Sequence, residues 1–83
     1  MGKVTIRYWA AAKEAAGVPE ETVAAATLAE ALNAAVANRA PGSRLRGVLE
    51  RSSFLVDGTR VKADETGLPD GAVVEVLPPF AGG

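Results

Sequence analysis

The chain offers few groups able to do chemistry of their own. Cysteine and histidine are both absent, which removes thiolate nucleophiles, imidazole bases, disulfides and nearly every transition-metal site. Asp64 and Glu65 are adjacent, so they diverge on a strand or on a helix and do not make an acid–base pair. What stands out is the end of the sequence, Leu77-Pro78-Pro79-Phe80-Ala81-Gly82-Gly83. Two prolines favour an extended, polyproline-like backbone that projects from the body. The six residues from Pro78 onward, at up to about 3.3 Å each, reach roughly 20 Å, far enough to enter the active site of another protein. Gly82 and Gly83 lack a Cβ, so a foreign backbone can approach them closely in a narrow channel. The plainer alternative is a frayed terminus. The two prolines and the aromatic directly before the diglycine weigh against it.

The body that must present such a tail is a single small domain. Its 83 residues are 48% apolar and 23% charged, the composition of an ordinary globule, with little room for both a core and a deep, walled cavity. Residues 1–77 are expected to form the domain and 78–83 the extended tail. A net charge of −1 lacks the electrostatic footprint of a nucleic-acid binder. The charge is uneven, however: six basic and two acidic residues lie from Arg39 to Lys62, then four acidic and no basic ones from Asp64 onward. Such a bias reads either as a docking face or as ordinary solvated surface, and the same choice holds singly for Arg7, Arg60 and Lys62. Met1 to Ala10 carries Lys3 and Arg7 and no apolar signal segment. No stretch approaches about 18 uninterrupted apolar residues. The expectation is a cytoplasmic protein with neither membrane nor nucleic acid as partner.

Periodicity supplies the elements. Lys3 to Trp9 alternates, with Val4, Ile6 and Tyr8 on one face and Thr5, Arg7 and Trp9 on the other, which predicts a half-buried strand. Ala10 to Ala16 makes a short alanine helix that Gly17 stops in a left-handed cap. A second strand fits Glu21 to Ala25, although alanine is a poor strand former. Thr27 and Glu30 match a capping box, and Leu28, Leu32, Ala35 and Val36 recur at helical spacing, so a helix runs from Thr27 to Arg39, ended by Pro41-Gly42. Ser43 to Ser52 reads as basic and irregular, with one turn around Val48 and Leu49. Ser53–Val56 and Thr59–Lys62 form a hairpin across Asp57-Gly58. Leu68-Pro69-Asp70-Gly71 is a turn, and Val73 to Leu77 is the most strand-like run. The fold class is therefore α+β, a mixed sheet of about four to five strands wrapped over one main helix.

Two segments carry a family resemblance. The tail after Asp70-Gly71 and the valine-rich last strand, and Val4 to Ala10 followed by Lys13, Glu14 and Gly17, resemble the MoaD/ThiS family of ubiquitin-like sulfur carriers, and within it the MoaD type, the small subunit of molybdopterin synthase. The resemblance implies a β-grasp fold with a flexible C-terminal tail. It also implies that Gly83 is the reacting group, adenylated and then converted to a thiocarboxylate, with Gly82 threading the channel. This chain would bind no cofactor itself. ATP and magnesium would be used by a MoeB-like adenylating partner, and the sulfur would pass to a pterin precursor in a MoaE-like large subunit of a heterotetrameric synthase. Pro78, Pro79, Phe80 and Ala81 would contact the partner, with Phe80 at the channel mouth. Trp9 and Leu77 join them if Tyr8 and Val76 face inward, the alternative being that both are ordinary core. Carriers for thiamine or cysteine synthesis share the fold and the diglycine, whereas Pro78-Pro79 and the helix after the first strand favour the molybdopterin type. A modifier that forms isopeptide bonds and a passive ubiquitin-like module are the readings from other classes.

Overall fold

The computed structural model describes residues 2–62 and 66–79. Strand β1 (Gly2–Tyr8) buries Val4, Ile6 and Tyr8 and turns Thr5 and Arg7 to the other face. Trp9 has left the strand and caps helix α1 (Ala10–Ala16), which Gly17 closes at a φ of 79° with its N–H donating to the Lys13 carbonyl at 2.9 Å. Such a dihedral carries no side-chain penalty in glycine. Strand β2 (Glu20–Ala25) runs antiparallel to β1, and its Val23 and Ala25 are buried. Pairing and burial here outweigh the weak strand propensity of alanine.

Helix α2 (Leu28–Ala37) starts as its sequence predicts: the Thr27 hydroxyl accepts from the Glu30 N–H at 3.2 Å. The Glu30 carboxylate accepts in turn from Ala26 N–H at 2.8 Å, one residue before the cap. Leu28, Ala31 and Ala35 are buried, whereas Leu32 and Val36 sit half-exposed beside them. The segment read as irregular contains a third helix, α3 (Leu45–Glu50), which buries Leu45 and Leu49. Gly47 lowers its propensity and the Arg44 side chain does not cap it, so the Ser43 hydroxyl, which accepts from the Leu45 N–H at 3.1 Å, and packing of the two leucines hold it.

The hairpin β3 (Ser53–Val56) and β4 (Thr59–Val61) turns through Asp57 and Gly58 at φ of 49° and 86°, the paired positive dihedrals that Asp-Gly tolerates. Strand β5 (Val73–Leu77) lies between β1, to which it is parallel, and β3, to which it is antiparallel. The five-stranded order is β2-β1-β5-β3-β4. Ile6, Val74 and Val76 of the two central strands meet Leu28 and Leu45 in the fully buried core. This mixed sheet with one main helix on its inner face is the ubiquitin-like β-grasp. No helix among the described residues is long and apolar enough to cross a membrane.

One polar cluster ties the helices to the sheet. The Tyr8 hydroxyl donates to Glu21, and Arg39 pairs with the same carboxylate at 2.6 Å while also donating to the Ala16 carbonyl. The side chains of Arg39 and Glu21 are only 12% and 14% exposed. Removing one partner leaves the other poorly solvated, so Arg39→Ala is expected to cost about 2–4 kcal/mol, read as a lower urea midpoint. The same cluster predicts a pH dependence. Burial first, then the bond to Glu21 and its charge, raise the Tyr8 phenol well above its ordinary value, against a smaller opposing effect of Arg39. The fold thus favours the neutral phenol. Its contribution is complete below about pH 10 and is lost as the pH rises beyond that. Tyr8 is the only tyrosine, so tyrosinate absorbance should appear only as the protein unfolds in alkali, and Tyr8→Phe should flatten the loss of stability there.

Candidate functional site

The sequence-predicted site residues fall into two groups. Phe80, Ala81, Gly82 and Gly83 lie outside the described residues, as do Asp64 and Glu65. The structure does describe the root of the tail and what surrounds it. β5 is a central strand clamped on both sides, with Tyr8 opposite Val76 on β1 and Ser53 opposite Leu77 on β3. Its end is therefore held by two strand pairings. Pro78 follows half-buried and Pro79 exposed.

Alternation sorts the faces around this root. Tyr8 is 2% exposed and Val76 fully buried, so their neighbours Arg7, Glu75 and Leu77 belong to the outer face. Trp9 joins them there and is 42% exposed, the only large hydrophobic side chain so open among the described residues. Two polar contacts hold it. The Arg7 guanidinium carbon stands 5.1 Å from the indole centroid, and the indole N–H donates to the Glu75 carboxylate at 3.3 Å. Glu20 closes the row by pairing with Arg7 at 3.9 Å. Such exposed contacts contribute at most about 1 kcal/mol each to stability. Their effect is to orient the indole on the outer face that Leu77 shares.

Sequence reasoning identified Trp9 and Leu77 but not the contacts that set the indole. The signal for one was present, because Glu75 breaks an otherwise apolar strand and its acceptor now receives the indole N–H. On the helix side of the tail root, Ala10, Ala11 and Val48 line a trough of about 640 Å³, bordered by Glu14, Arg51 and the two prolines. Ala10 turns the chain from β1 into α1 with a φ of 49°, a left-handed conformation that costs a residue with a Cβ about 1–2 kcal/mol. Ala10→Gly is expected to raise stability by about 0.5–1 kcal/mol, and a lower melting temperature would show that the turn is not strained. Among the described residues there is no group of three or more Asp or Glu side chains able to hold a metal ion.

Comparison with known proteins adds the relationships. The chain matches the ThiS family from residue 6 to residue 83. No curated protein matches it. Among solved structures it is similar to small archaeal modifier protein 1 of Methanosarcina acetivorans, with a TM-score of 0.84 at 24% identity over 100% of this chain and 98% of that one. The crystal structure of SAMP1 from Haloferax volcanii superposes with a TM-score of 0.82 at 23% identity, covering 99% and 100%. These two likenesses are of fold. The third is to a complex of subunits 1 and 2 of the molybdopterin-converting factor from Helicobacter pylori, at 26% identity and a TM-score of 0.70, covering 98% and 99%.

Proposed function

The chain belongs to the ThiS family and has its ubiquitin-like sulfur-carrier fold, and from that premise we propose that it is a sulfur carrier whose reacting group is the carboxylate of Gly83. The observation that supports this reading is the placement of the tail's root, Leu77 to Pro79. A strand paired along both edges runs directly into Pro78-Pro79, the indole of Trp9 is exposed and bonded to Glu75 of that strand, and the family match continues to Gly83.

The chemistry follows from the carboxylate. Its charge is shared by two oxygens, so it resists attack until a MoeB-like partner, using ATP and magnesium, couples it to AMP with release of pyrophosphate. Hydrosulfide, or a sulfur nucleophile of equal oxidation level, then attacks the carbonyl carbon. The carbon–sulfur bond forms, the bond to the phosphate oxygen breaks, and AMP leaves. The thiocarboxylate is the carried sulfur. The likeness to subunit 1 of a converting-factor complex favours molybdopterin synthesis, with a MoaE-like large subunit as acceptor, over the sister carriers of thiamine or cysteine synthesis. In this reading Gly82 threads the partner's channel, Pro78, Pro79, Phe80 and Ala81 line the entry, and Trp9 with Leu77 docks the body. Such a carrier works in the cytoplasm.

Incubation with ATP, a MoeB-like enzyme and sulfide, followed by intact-mass spectrometry, tests it. Replacement of one oxygen by sulfur in the Gly83 peptide is the expected result. An unchanged mass, with the enzyme active on its own carrier, would sink the reading. Covalent adducts through lysine amines of other proteins, in place of the thiocarboxylate, would favour a protein modifier.

A further inference from the structure

A second surface lies away from the tail's outer face. α2 packs chiefly on β2, and α3 on α1, so the inner face of the β3–β4 hairpin is left partly uncovered. The result is a groove of about 630 Å³ between α2, α3 and the hairpin. Its apolar floor includes Leu32, Val36 and Val61, all half-buried, and the edge of Phe54. Among the described residues three cations line it, Arg46, Arg60 and Lys62, against one acid, Glu50. Among the described residues neither Arg46 nor Lys62 has an ion pair, and Arg60 donates only to the Ser53 hydroxyl at 3.1 Å. A positive groove on a chain of net charge −1 gives the basic tract of the sequence a location and a shape.

We propose that this groove docks an acidic segment of a partner protein, bound in extended conformation with alternate apolar side chains on the floor. Each part of that description has its observation. Cations at the rim that have no ion pair among the described residues select carboxylates, because like charges there would be repelled. The half-exposed aliphatic floor gains only from a ligand with apolar side chains, which a nucleic-acid backbone lacks. Phe54 is 4% exposed and offers no face on which a base can stack. The extended conformation follows from β4, an edge strand with β3 as its one neighbour. A segment laid along it gains main-chain hydrogen bonds and sends every second side chain to the face that carries Val61 and Phe54. Ser53 lines the groove and pairs with Leu77, so one partner could grip the tail root and this groove together.

The test is an amide chemical-shift titration of the full ¹⁵N-labelled chain with a short peptide in which valine alternates with glutamate. Saturable shifts are expected at Val36, Arg46 and Arg60 to Lys62. Arg46→Glu with Lys62→Glu should weaken binding about tenfold or more, and Arg46→Gln with Lys62→Gln, which adds no new charge, should weaken it in the same direction if the first variant fails to fold. Four results would overturn the proposal: no shifts, shifts confined to Trp9 and Leu77, equal binding of the peptide with lysine in place of glutamate, or affinity unaltered by a folded variant. Binding to phosphatidylserine vesicles in preference to the peptide would overturn it in favour of a membrane surface.

Discussion

A chain lengthened by one alanine after Gly83 should fold as the native chain does and form no thiocarboxylate. Folding is indifferent to the addition because every core side chain among the described residues lies at or before Val76. Chemistry is not indifferent. One added residue moves the carboxylate by up to about 3.5 Å, whereas attack requires the reacting atoms within about 3–3.5 Å and a misplacement of about 1 Å can cost a hundredfold. The tail root has little slack to compensate, since Leu77 is paired with Ser53 and β5 is held along both edges. Intact mass after incubation with the activating enzyme and sulfide reads the result directly, and circular dichroism verifies the fold. Conversion of the extended chain, with the extra residue still attached, would exclude Gly83 as the reacting group.

The parts of this architecture that local rules govern were legible in the sequence. Alternation at Val4, Ile6 and Tyr8 set the inner face of β1, Thr27 and Glu30 set the start of α2, and Asp57-Gly58 set the hairpin, because each depends on neighbours within a few positions. The strand ends one residue earlier than its alternation predicts, at Tyr8 and not Trp9. The alternation continues through the indole, but the turn at Ala10 ends the strand at Tyr8. Where α3 lies the sequence shows only a turn, because Gly47 and three arginines near it dilute the apolar pattern of Leu45, Val48 and Leu49, and tertiary packing makes the helix. The parallel pairing of β1 with β5 has no local signature at all. Neither does the bond from Trp9 to Glu75, which spans 66 positions, nor the meeting of Tyr8, Glu21 and Arg39. At the candidate site, therefore, residue types singled out the diglycine end, which lies outside the described residues, and the exposed aromatic, while what orients that aromatic came only from the sheet register.

That orientation makes Trp9→Ala the second large effect, a loss of about a hundredfold in affinity for the partner that receives the tail. An aromatic anchor at the centre of an interface commonly carries more than about 2 kcal/mol. Within the free chain the indole makes one stacking contact with Arg7 and one hydrogen bond with Glu75, together worth about 1 kcal/mol. The difference in magnitude separates the two roles: docking should collapse while the melting temperature moves little. Glu75 refines the argument. Glu75→Gln keeps an acceptor for the indole N–H and should bind almost as the native chain does, whereas Glu75→Leu frees the indole to reorient and should lose part of the affinity despite adding apolar surface. Titration calorimetry against a MoeB-like enzyme, and separately against a MoaE-like subunit, gives both values. Because the contact is apolar, the deficit of Trp9→Ala should persist at high salt, when ion pairs at Arg7 and Glu20 are screened. Native affinity in Trp9→Ala for both partners would place the docking surface elsewhere. A deficit that tracked a loss of thermal stability would instead make Trp9 a structural residue.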